Sequence, residues 1–301
     1  MTVTRAAPSR LGDRTERRER EQPRHPIRRV ALYAALIGTS ILMIGPFYWA
    51  IATSFKPSGD VFASPPKFIP DPWTLANYRD VFTLLPFARY FLNSVVVTGG
   101  IVVLNIVFDL AAAYAFAKLR FPGRDFLFFT LLITLMVPFQ VNLIPLFRIM
   151  VSLHRISPVL GVNTYFGLIA PSAIQVFGIF LLRQFIRTIP DEILDCARVD
   201  GASEFRILRS IVFPLAVPGL ATLAIFTFLG AWNDFLWPLL ITQTDQMRTL
   251  PVGLALLARR QEINWGDTMA GTAITALPMI AVFLVLQRRF IEGLTQGAIK
   301  G

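Results

Sequence analysis

The stretch PDEILDCARVDGASEFRILRSIVFPLAVP, residues 190–218, lies between two long apolar runs and differs from both in composition. Pro190 suits the first turn of a helix because its missing N–H costs nothing there, and the acidic residues after it favour the positive end of the helix dipole. Gly201 can end that helix, because glycine readily adopts the left-handed conformation common at this point. The pattern predicts a short amphipathic helix, a stop at Asp200-Gly201, and a second amphipathic segment over residues 204–211.

The first predicted helix divides its side chains between two faces. Charged residues share one face and apolar or small residues share the other: Asp191, Asp195 and Arg198 against Ile193, Cys196 and Ala197. The small side chains, with Gly201, would let another backbone or a large side chain come close. Most amphipathic helices in the loops of membrane proteins lie on lipid headgroups. A docking surface for a partner protein is the alternative.

Composition places the chain among membrane proteins. Of its 301 residues, 54% are hydrophobic and only 16% are charged, which is too apolar for a soluble domain of this size. The net charge of +10 would fit a nucleic-acid partner, but nearly all charges stand at the ends of apolar runs or in the N-terminal region. One cysteine excludes an internal disulfide, and two distant histidines, His25 and His154, do not form a metal-site pattern. We therefore predict a bilayer environment, with no nucleic acid and no metal.

Six apolar runs are each close to or above the roughly 18–20 residues that cross a bilayer core as a helix. They cover residues 30–52, 91–117, 126–146, 165–182, 214–241 and 269–286. Pro171 and Pro278 are predicted to kink the fourth and the sixth run. The predicted fold is an all-α membrane protein with six transmembrane helices and an amphipathic loop between the fourth and the fifth.

Lysine and arginine predict the orientation of these spans. With the N-terminus inside, the inner segments hold twenty of these residues and the outer segments hold nine. Positively charged segments favour the cytoplasm, so both termini and residues 190–218 are predicted to be cytoplasmic. Residues 1–26 combine arginine, acidic residues and proline with almost nothing apolar, which predicts a disordered basic cytoplasmic tail.

Three groups of residues in the loop stand at the spacing of a known motif. They are Asp195-Cys196-Ala197, Asp200-Gly201-Ala202, and Ile211 with Phe213-Pro214. This pattern resembles the EAA loop of the permease subunits of binding-protein-dependent ABC importers, which reads roughly E-A-A-x-x-x-G, nine residues, then I-x-L-P. The resemblance implies a coupling helix that docks into a cleft on the ATP-hydrolysing subunit. Asp replaces Glu, Cys replaces Ala and Phe replaces Leu, and each replacement keeps the charge or the apolar character.

Two adjacent polar residues, Asn233 and Asp234, interrupt the fifth run within WNDFLWPL, residues 232–239. Polar groups in hydrocarbon are costly and face a partner helix or a water-filled path. Beside Pro238, which frees a backbone carbonyl, they favour a broken helix that lines a pathway. The candidate pathway residues are Trp232, Asn233, Asp234, Gln140 and Asn142. A helix-to-helix hydrogen bond is the alternative for an isolated Asn or Gln, and an aromatic belt at the outer interface is the alternative for Trp237.

Asp109 is the other acidic residue inside a span. It lies about two helical turns before Lys118, near the inner end of the second run. We interpret it as a salt-bridge partner of that lysine or as a snorkelling side chain, without a role in transport chemistry.

Further runs resemble sugar-importing permeases of the same family. They are WNDFLWPL itself, PFQV with IPL at residues 138–141 and 144–146, AY with RFPG at 113–114 and 120–123, and GLTQGAIKG at 293–301. The last of these resembles the tail of the maltose-type second permease subunit. The resemblance implies a type I, methionine-importer-like ABC transmembrane domain that translocates a monosaccharide or oligosaccharide.

The resemblance also implies a division of the chain and a set of partners. It places the transmembrane core at 88–287, the first span with an extracytoplasmic loop at 27–87, and cytoplasmic tails at 1–26 and 288–301. The implied partners are a second homologous permease subunit, a dimer of ATP-binding subunits and an extracytoplasmic solute-binding protein, assembled in the cytoplasmic membrane. No phosphate-binding loop or catalytic pattern occurs, so we expect no enzyme activity and no cofactor on this chain. ATP and Mg²⁺ would be used by the partner ATPase.

Two other classes of protein remain open. Secondary transporters typically contain inverted repeats and several acidic residues within the membrane. Here only Asp109 and Asp234 lie within the apolar runs, and no repeat is evident. An ABC importer for a solute other than a sugar would share the same loop.

Overall fold

The computed structural model describes residues 26–259 and 264–296, with side chains for 29–259 and 264–287. Within these ranges every regular element is helical, which confirms the all-α prediction. The predicted tail up to residue 25, and residues 297–301 at the other end, lie outside the described residues. The predicted C-terminal tail is helical in its first part, because the last helix continues to Gln296.

The chain contains fourteen α-helices in the described ranges. They are α1 (Pro26–Ser54), α2 (Ala76–Leu84), α3 (Phe87–Lys118), α4 (Arg124–Thr134), α5 (Phe139–Ile156), α6 (Tyr165–Ile169), α7 (Val176–Arg187), α8 (Asp191–Val199), α9 (Glu204–Ile207), α10 (Phe213–Leu215), α11 (Val217–Trp232), α12 (Leu236–Ile241), α13 (Leu250–Leu257) and α14 (Trp265–Gln296). Short 3₁₀ turns occur at Ser58–Asp60 and Ala170–Ser172, and Leu208–Val212 is a π-helical turn. Among the described residues, those up to 49 and those from 50 onward form two compact units.

Three helices, α1, α3 and α14, are long and apolar enough to cross a membrane unbroken. Three further spans arise if each bent pair of helices counts as one: α4 with α5, α6 with α7, and α9–α10 with α11. The bends are 98°, 47° and 79°. On that count the total is six, the predicted number.

The predicted third span, residues 126–146, is not one straight helix. Its first half ends at Thr134, and α5 begins at Phe139 after an extended Pro138. A proline disfavours the helical conformation of the residue before it, so Val137 cannot easily continue the first helix. Pro171 lies in the 3₁₀ turn at the bend between α6 and α7, where a kink was predicted. Pro278 lies inside α14, which is continuous there.

Helix α3 lies at the centre of the second unit. Three clusters of buried apolar side chains each include residues of this helix: Phe87 and Tyr90, then Val97 and Ile101, then Leu110, Ala113 and Tyr114. In lipid there is little hydrophobic drive between helices, so close packing and interhelical hydrogen bonds hold such a bundle. The third cluster extends through α7 to the loop of α8 and α9, so α3 reaches from one end of the unit to that loop.

Candidate functional site

The predicted helix stop in the 190–218 loop is present. Helix α8 ends at Val199, and Gly201 has φ +79°, in the left-handed region. The N–H of Ala202 donates to the carbonyl of Ala197 at 2.9 Å, and the N–H of Gly201 donates to that of Arg198 at 3.0 Å. These two bonds are the paired closure that ends many helices with a glycine. Pro190 differs slightly from expectation, because it is the extended residue before the helix and not part of its first turn.

The predicted apolar face of α8 lies mostly outside the core, with Ile193 and Cys196 exposed. Leu194, not Ile193, is the fully buried residue that anchors the helix to the core, and Ala197 beside it is half-buried. Because Leu194 and Ala197 are three residues apart, they share a face that leaves Ile193 and Cys196 exposed. The result is an apolar surface outside the core.

Two further large apolar side chains of the loop are exposed, one before the helix stop and one after it. Val199 is 87% exposed and Phe205 is 71% exposed, although both are large and apolar. Together with Ile193 and Cys196 they form what we call the loop face: Ile193, Cys196, Val199 and Phe205. Exposed apolar patches of this kind mark contacts with other molecules.

The second segment of the loop is a broken helix. Ser203 caps α9 by accepting a hydrogen bond from the N–H of Arg206 at 3.4 Å. The helix then changes to the π-helical turn before Pro214, which has no N–H to donate to the carbonyl four residues earlier. Ile211, predicted as part of the motif, is partly buried against the core, while Pro214 is exposed.

Ion pairs tie the loop to the end of α3. Lys118 Nζ lies 2.6 Å from Asp191 Oδ1 and donates to the carbonyl of Ile189 at 2.5 Å. This hydrogen bond from the ammonium group lowers the pKa of Asp191 below its ordinary value. Lys118 therefore holds the start of α8 against the end of the span.

A second set of charged contacts closes the loop on itself. The Arg198 guanidinium lies 2.8 Å from Glu204 and 2.7 Å from Asp195, and the two carboxylates raise the pKa of Arg198 above its ordinary value. The hydroxyl of Tyr114, on α3, donates to the other oxygen of Glu204. We call Tyr114, Lys118, Asp191, Asp195, Arg198 and Glu204 the loop network. Exposed ion pairs each contribute only about 0–1 kcal/mol, so the network orients the loop more than it stabilises the chain.

The predicted pairing of Asp109 with Lys118 is wrong. Asp109 is fully buried, and its Oδ1 accepts a hydrogen bond from the backbone N–H of Gln175 at 3.0 Å. It therefore caps the start of α7, whose own preceding residue supplies no side-chain cap. Gly178 gives the carboxylate room, because a Cβ there would collide with Oδ2 of Asp109. Sequence reasoning missed this role, and it missed Tyr114 and Glu204 as partners of the loop.

The fifth run breaks where Asn233 and Asp234 predicted. Helix α11 ends at Trp232 and α12 begins at Leu236. The side chain of Asn233 is exposed and donates to the carbonyl of Leu229 at 2.8 Å. Asp234 is half-buried and accepts from the N–H of Trp237 at 3.4 Å, so it caps the second helix.

The two tryptophans beside this break are core residues. Trp232 donates its indole N–H to the carbonyl of Thr275 at 3.0 Å, and its ring packs between Phe91 and Phe228. Trp237 is equally buried and donates to the carbonyl of Gly167 at 2.9 Å, so the aromatic-belt alternative for this residue is wrong. A pathway role for Trp232 stays a prediction.

Gln140 and Asn142 lie near the start of α5, and both side chains are exposed. The ring of Phe139 lies 6.5 Å from that of Trp237, centroid to centroid. The start of α5 is therefore near the break that carries Asn233 and Asp234. In the described ranges no group of His, Cys, Asp or Glu side chains is arranged to hold a metal ion.

Known proteins share both the sequence pattern and the fold. Residues 109–296 match the family model described as binding-protein-dependent transport system inner membrane component. The arabinooligosaccharides transport system permease protein AraQ of Halalkalibacterium halodurans is 38% identical over 265 residues, 87% of this chain and 93% of that protein. The sn-glycerol-3-phosphate transport system permease protein UgpE of Escherichia coli is 33% identical over 267 residues, 86% of this chain and 92% of that protein.

A solved structure supports the fold independently. The crystal structure of a bacterial ABC transporter involved in the import of the acidic polysaccharide alginate contains a chain that superposes with a TM-score of 0.79 at 23% identity. The match covers 90% of this chain and 99% of that one. The loop pattern, the helical fold and these similarities agree: this chain belongs to the inner-membrane permease components of binding-protein-dependent transport systems.

Proposed function

We propose that this permease subunit carries a carbohydrate, a monosaccharide or an oligosaccharide, through the cytoplasmic membrane as part of an ABC importer. The observation that carries the proposal is the similarity to an arabinooligosaccharide permease, 38% identical over 87% of the chain. The similarity spans the helices on both sides of the 190–218 loop, so it concerns the transport unit as a whole. Residues 88–287 form the transmembrane core, preceded by the first span and an extracytoplasmic loop at 27–87.

The energy for transport comes from a separate ATP-binding subunit. The loop of α8 and α9 is the element that contacts it, because its loop face exposes large apolar side chains on a helix held in a defined orientation by the loop network. The coupling residues are Asp195, Cys196, Ala197, Asp200, Gly201, Ala202, Ile211 and Pro214. ATP and Mg²⁺ bind to that partner, and this chain needs no cofactor of its own.

The remaining partners are a second homologous permease subunit and an extracytoplasmic solute-binding protein. The orientation follows the charge bias, with both termini and the coupling loop in the cytoplasm. The break at Asn233 and Asp234, together with Gln140 and Asn142, faces the translocation route or the partner permease. Supporting this, the side chains of Asn233, Gln140 and Asn142 are exposed in the isolated subunit, where lipid would be a poor environment for an amide.

Cysteine labelling tests the pathway assignment. The single native cysteine, Cys196, is exposed and must first be replaced by alanine. A cysteine at position 233 should then react with a water-soluble maleimide in membranes that contain the assembled complex. Reaction with lipid-soluble reagents alone would contradict the assignment. A cysteine at exposed Val103, in the middle of α3, is the control for an apolar environment.

The cargo is tested by ATPase stimulation. The complete complex, reconstituted with its binding protein, should hydrolyse ATP faster when an oligosaccharide is added. A second candidate cargo is a phosphorylated polyol, because the chain is also 33% identical to a glycerol-3-phosphate permease. Stimulation by sn-glycerol 3-phosphate, with no response to neutral sugars, would overturn the carbohydrate proposal and favour this second cargo.

A further inference from the structure

A basic cavity lies at the turn between α3 and α4, apart from the loop face. Its volume is about 460 Å³, and its lining residues are Arg120, Phe121, Gly123, Arg124, Asp125 and Phe126. This volume is ample for a phosphate group and its neighbouring atoms. None of these side chains belongs to the proposed coupling residues or to the proposed pathway residues.

The charges around the cavity are unbalanced. Arg124 is held by Asp125 at 3.1 Å and by the carbonyl of Leu119 at 3.3 Å, so its guanidinium is fixed at the cavity wall. Arg120 is exposed and makes no hydrogen bond or ion pair with the described residues. It also lines a neighbouring cavity that carries the carboxylates of the loop network, so it stands between the two cavities. Asp125 is the single acid among the lining residues.

Further positive charge comes from the neighbouring helix α7. Arg183 lies within electrostatic reach of Arg187, Arg124 and Asp125. Its guanidinium carbon stands 4.0 Å from the ring centroid of Phe128, which fixes the side chain on an aromatic surface. Arg124, Arg183 and Arg187 therefore share this region with one carboxylate, that of Asp125. This excess of positive charge favours an anionic ligand.

The cavity also lies at a membrane boundary. Helix α3 ends its span at Lys118, and α4 begins the next apolar segment immediately beyond the cavity. On α4, Phe126 is 74% exposed and Phe129 is 63% exposed, so large apolar side chains follow directly after the arginines. A small soluble anion would use the arginines alone, whereas an amphiphile would use both features.

We propose that this cavity binds the phosphate headgroup of an anionic phospholipid. The guanidinium groups of Arg120 and Arg124 contact the phosphate oxygens, which arginine can bind through two parallel N–H groups. The acyl chains lie along Phe126 and Phe129. Basic pockets beside transmembrane helices are a recurring form of lipid recognition.

The test compares lipids on the full chain purified in a neutral detergent. Phosphatidylglycerol and phosphatidylcholine are added at equal concentration, and native mass spectrometry measures how much of each stays bound. The wild type should retain more phosphatidylglycerol. In the Arg120→Gln/Arg124→Gln variant the preference should fall about thirtyfold, as expected for two arginines near a phosphate.

The matched control removes two exposed arginines from another helix, in Arg148→Gln/Arg155→Gln on α5. This variant should keep the wild-type preference, and an equal loss there would overturn the proposal. Because Arg124 also holds the turn, Arg120→Gln alone is the second site variant, with an expected fall of about fivefold. An unchanged preference in a folded Arg120→Gln/Arg124→Gln protein would equally refute the site.

Competition with inorganic phosphate distinguishes a lipid headgroup from a soluble phosphate ion as the ligand of the cavity. A large excess of inorganic phosphate should leave phosphatidylglycerol bound, because the acyl chains add contacts that the soluble ion lacks. Complete displacement of the lipid would assign the cavity to a soluble phosphate and overturn the lipid proposal.

Discussion

Replacing Gly201 by valine tests whether the backbone of the coupling loop controls contact with the ATPase. Gly201 has φ +79°, and a Cβ built there meets nothing within 4 Å. The substitution therefore introduces no collision with the rest of the chain, and its whole effect comes from backbone conformation. The conformation matters because the N–H groups of Gly201 and Ala202 make the two bonds that close α8.

The magnitude follows from the cost of the left-handed conformation. For a residue with a side chain this conformation costs roughly 1–2 kcal/mol. The equilibrium between the closed and the opened helix end therefore shifts about 5- to 30-fold toward the opened form. If docking requires the closed form, the affinity for the ATPase falls by up to that factor. Six apolar segments hold the fold independently of this turn, so membrane insertion and abundance should stay near normal.

The assay measures ATPase binding to the purified variant together with uptake by the reconstituted importer. Gly201→Asn is the matched control, because asparagine tolerates the left-handed region better than other non-glycine residues. We expect Gly201→Asn to bind the ATPase close to the wild-type level and Gly201→Val to bind it weakly.

Two results would refute the reasoning. A Gly201→Val subunit with full ATPase binding and full uptake would show that the loop is only a surface helix. An asparagine variant as defective as the valine variant would show that any side chain at position 201 impairs docking, whatever its tolerance of the left-handed conformation.

Three further outcomes are expected. Tyr114→Phe should weaken ATPase binding, and less so in a Glu204→Gln background, because the two side chains share one contact; additive effects would deny that coupling. Gly178→Ala should lower abundance through overpacking worth about 1–3 kcal/mol, and Asp109→Ser should partly restore it by vacating the space; a failure to restore abundance would place the collision elsewhere. The hydrogen bond from Lys118 lowers the pKa of Asp191 in the folded state below its unfolded value near 3.8. The stability that this pair contributes is therefore fully present above the unfolded pKa and is lost as the pH falls through the lower folded pKa. The difference in thermal stability between wild type and Asp191→Asn should therefore be constant from about pH 5 upward and shrink below about pH 4; a difference that grows at acid pH would contradict the pairing.

Features set by neighbouring residues were predictable from the sequence. The stop at Gly201 depends on one glycine and on bonds that reach at most five residues back. The break after Trp232 follows from two adjacent polar residues within an apolar run. The number of spans was equally readable, because the length and apolar character of a run are local properties. Even here, the break before Pro138 was not predicted, because residues 126–146 were predicted to be one span. Its 98° bend depends on what α4 and α5 pack against.

Features set by distant residues were not predictable. Lys118 and Asp191 stand 73 positions apart, and Asp109 and Gln175 stand 66 apart. Along one helix, Lys118 was the nearest opposite charge to Asp109, and that proximity gave the wrong pair. For Trp237 the sequence left the aromatic belt open as an alternative, because an indole at the end of a run suits both an interface and a core. Only the fold brings the carbonyl of Gly167 beside its N–H and decides between them.

Helix α3 joins the parts of the molecule that a transport cycle must coordinate. At one end, Asn93 donates to the carbonyls of Gln246 and Arg248, which ties the helix to the segment before α13. In the middle, Asp109 caps α7, and at the other end Tyr114 and Lys118 hold the coupling loop.

These contacts are all polar, and in a low-dielectric bundle a broken polar contact leaves an unpaired group that is costly to bury. A displacement of α8 therefore either carries α3 and α7 with it or breaks the contacts of Tyr114 and Lys118. The first course moves the inner and outer ends of one rigid helix together, whereas the second confines the motion to the loop. The buried hydrogen bond of Asp109 already joins α3 to α7, so these two helices move together in either case. The contacts of Tyr114 and Lys118 therefore decide whether a displacement of α8 reaches them.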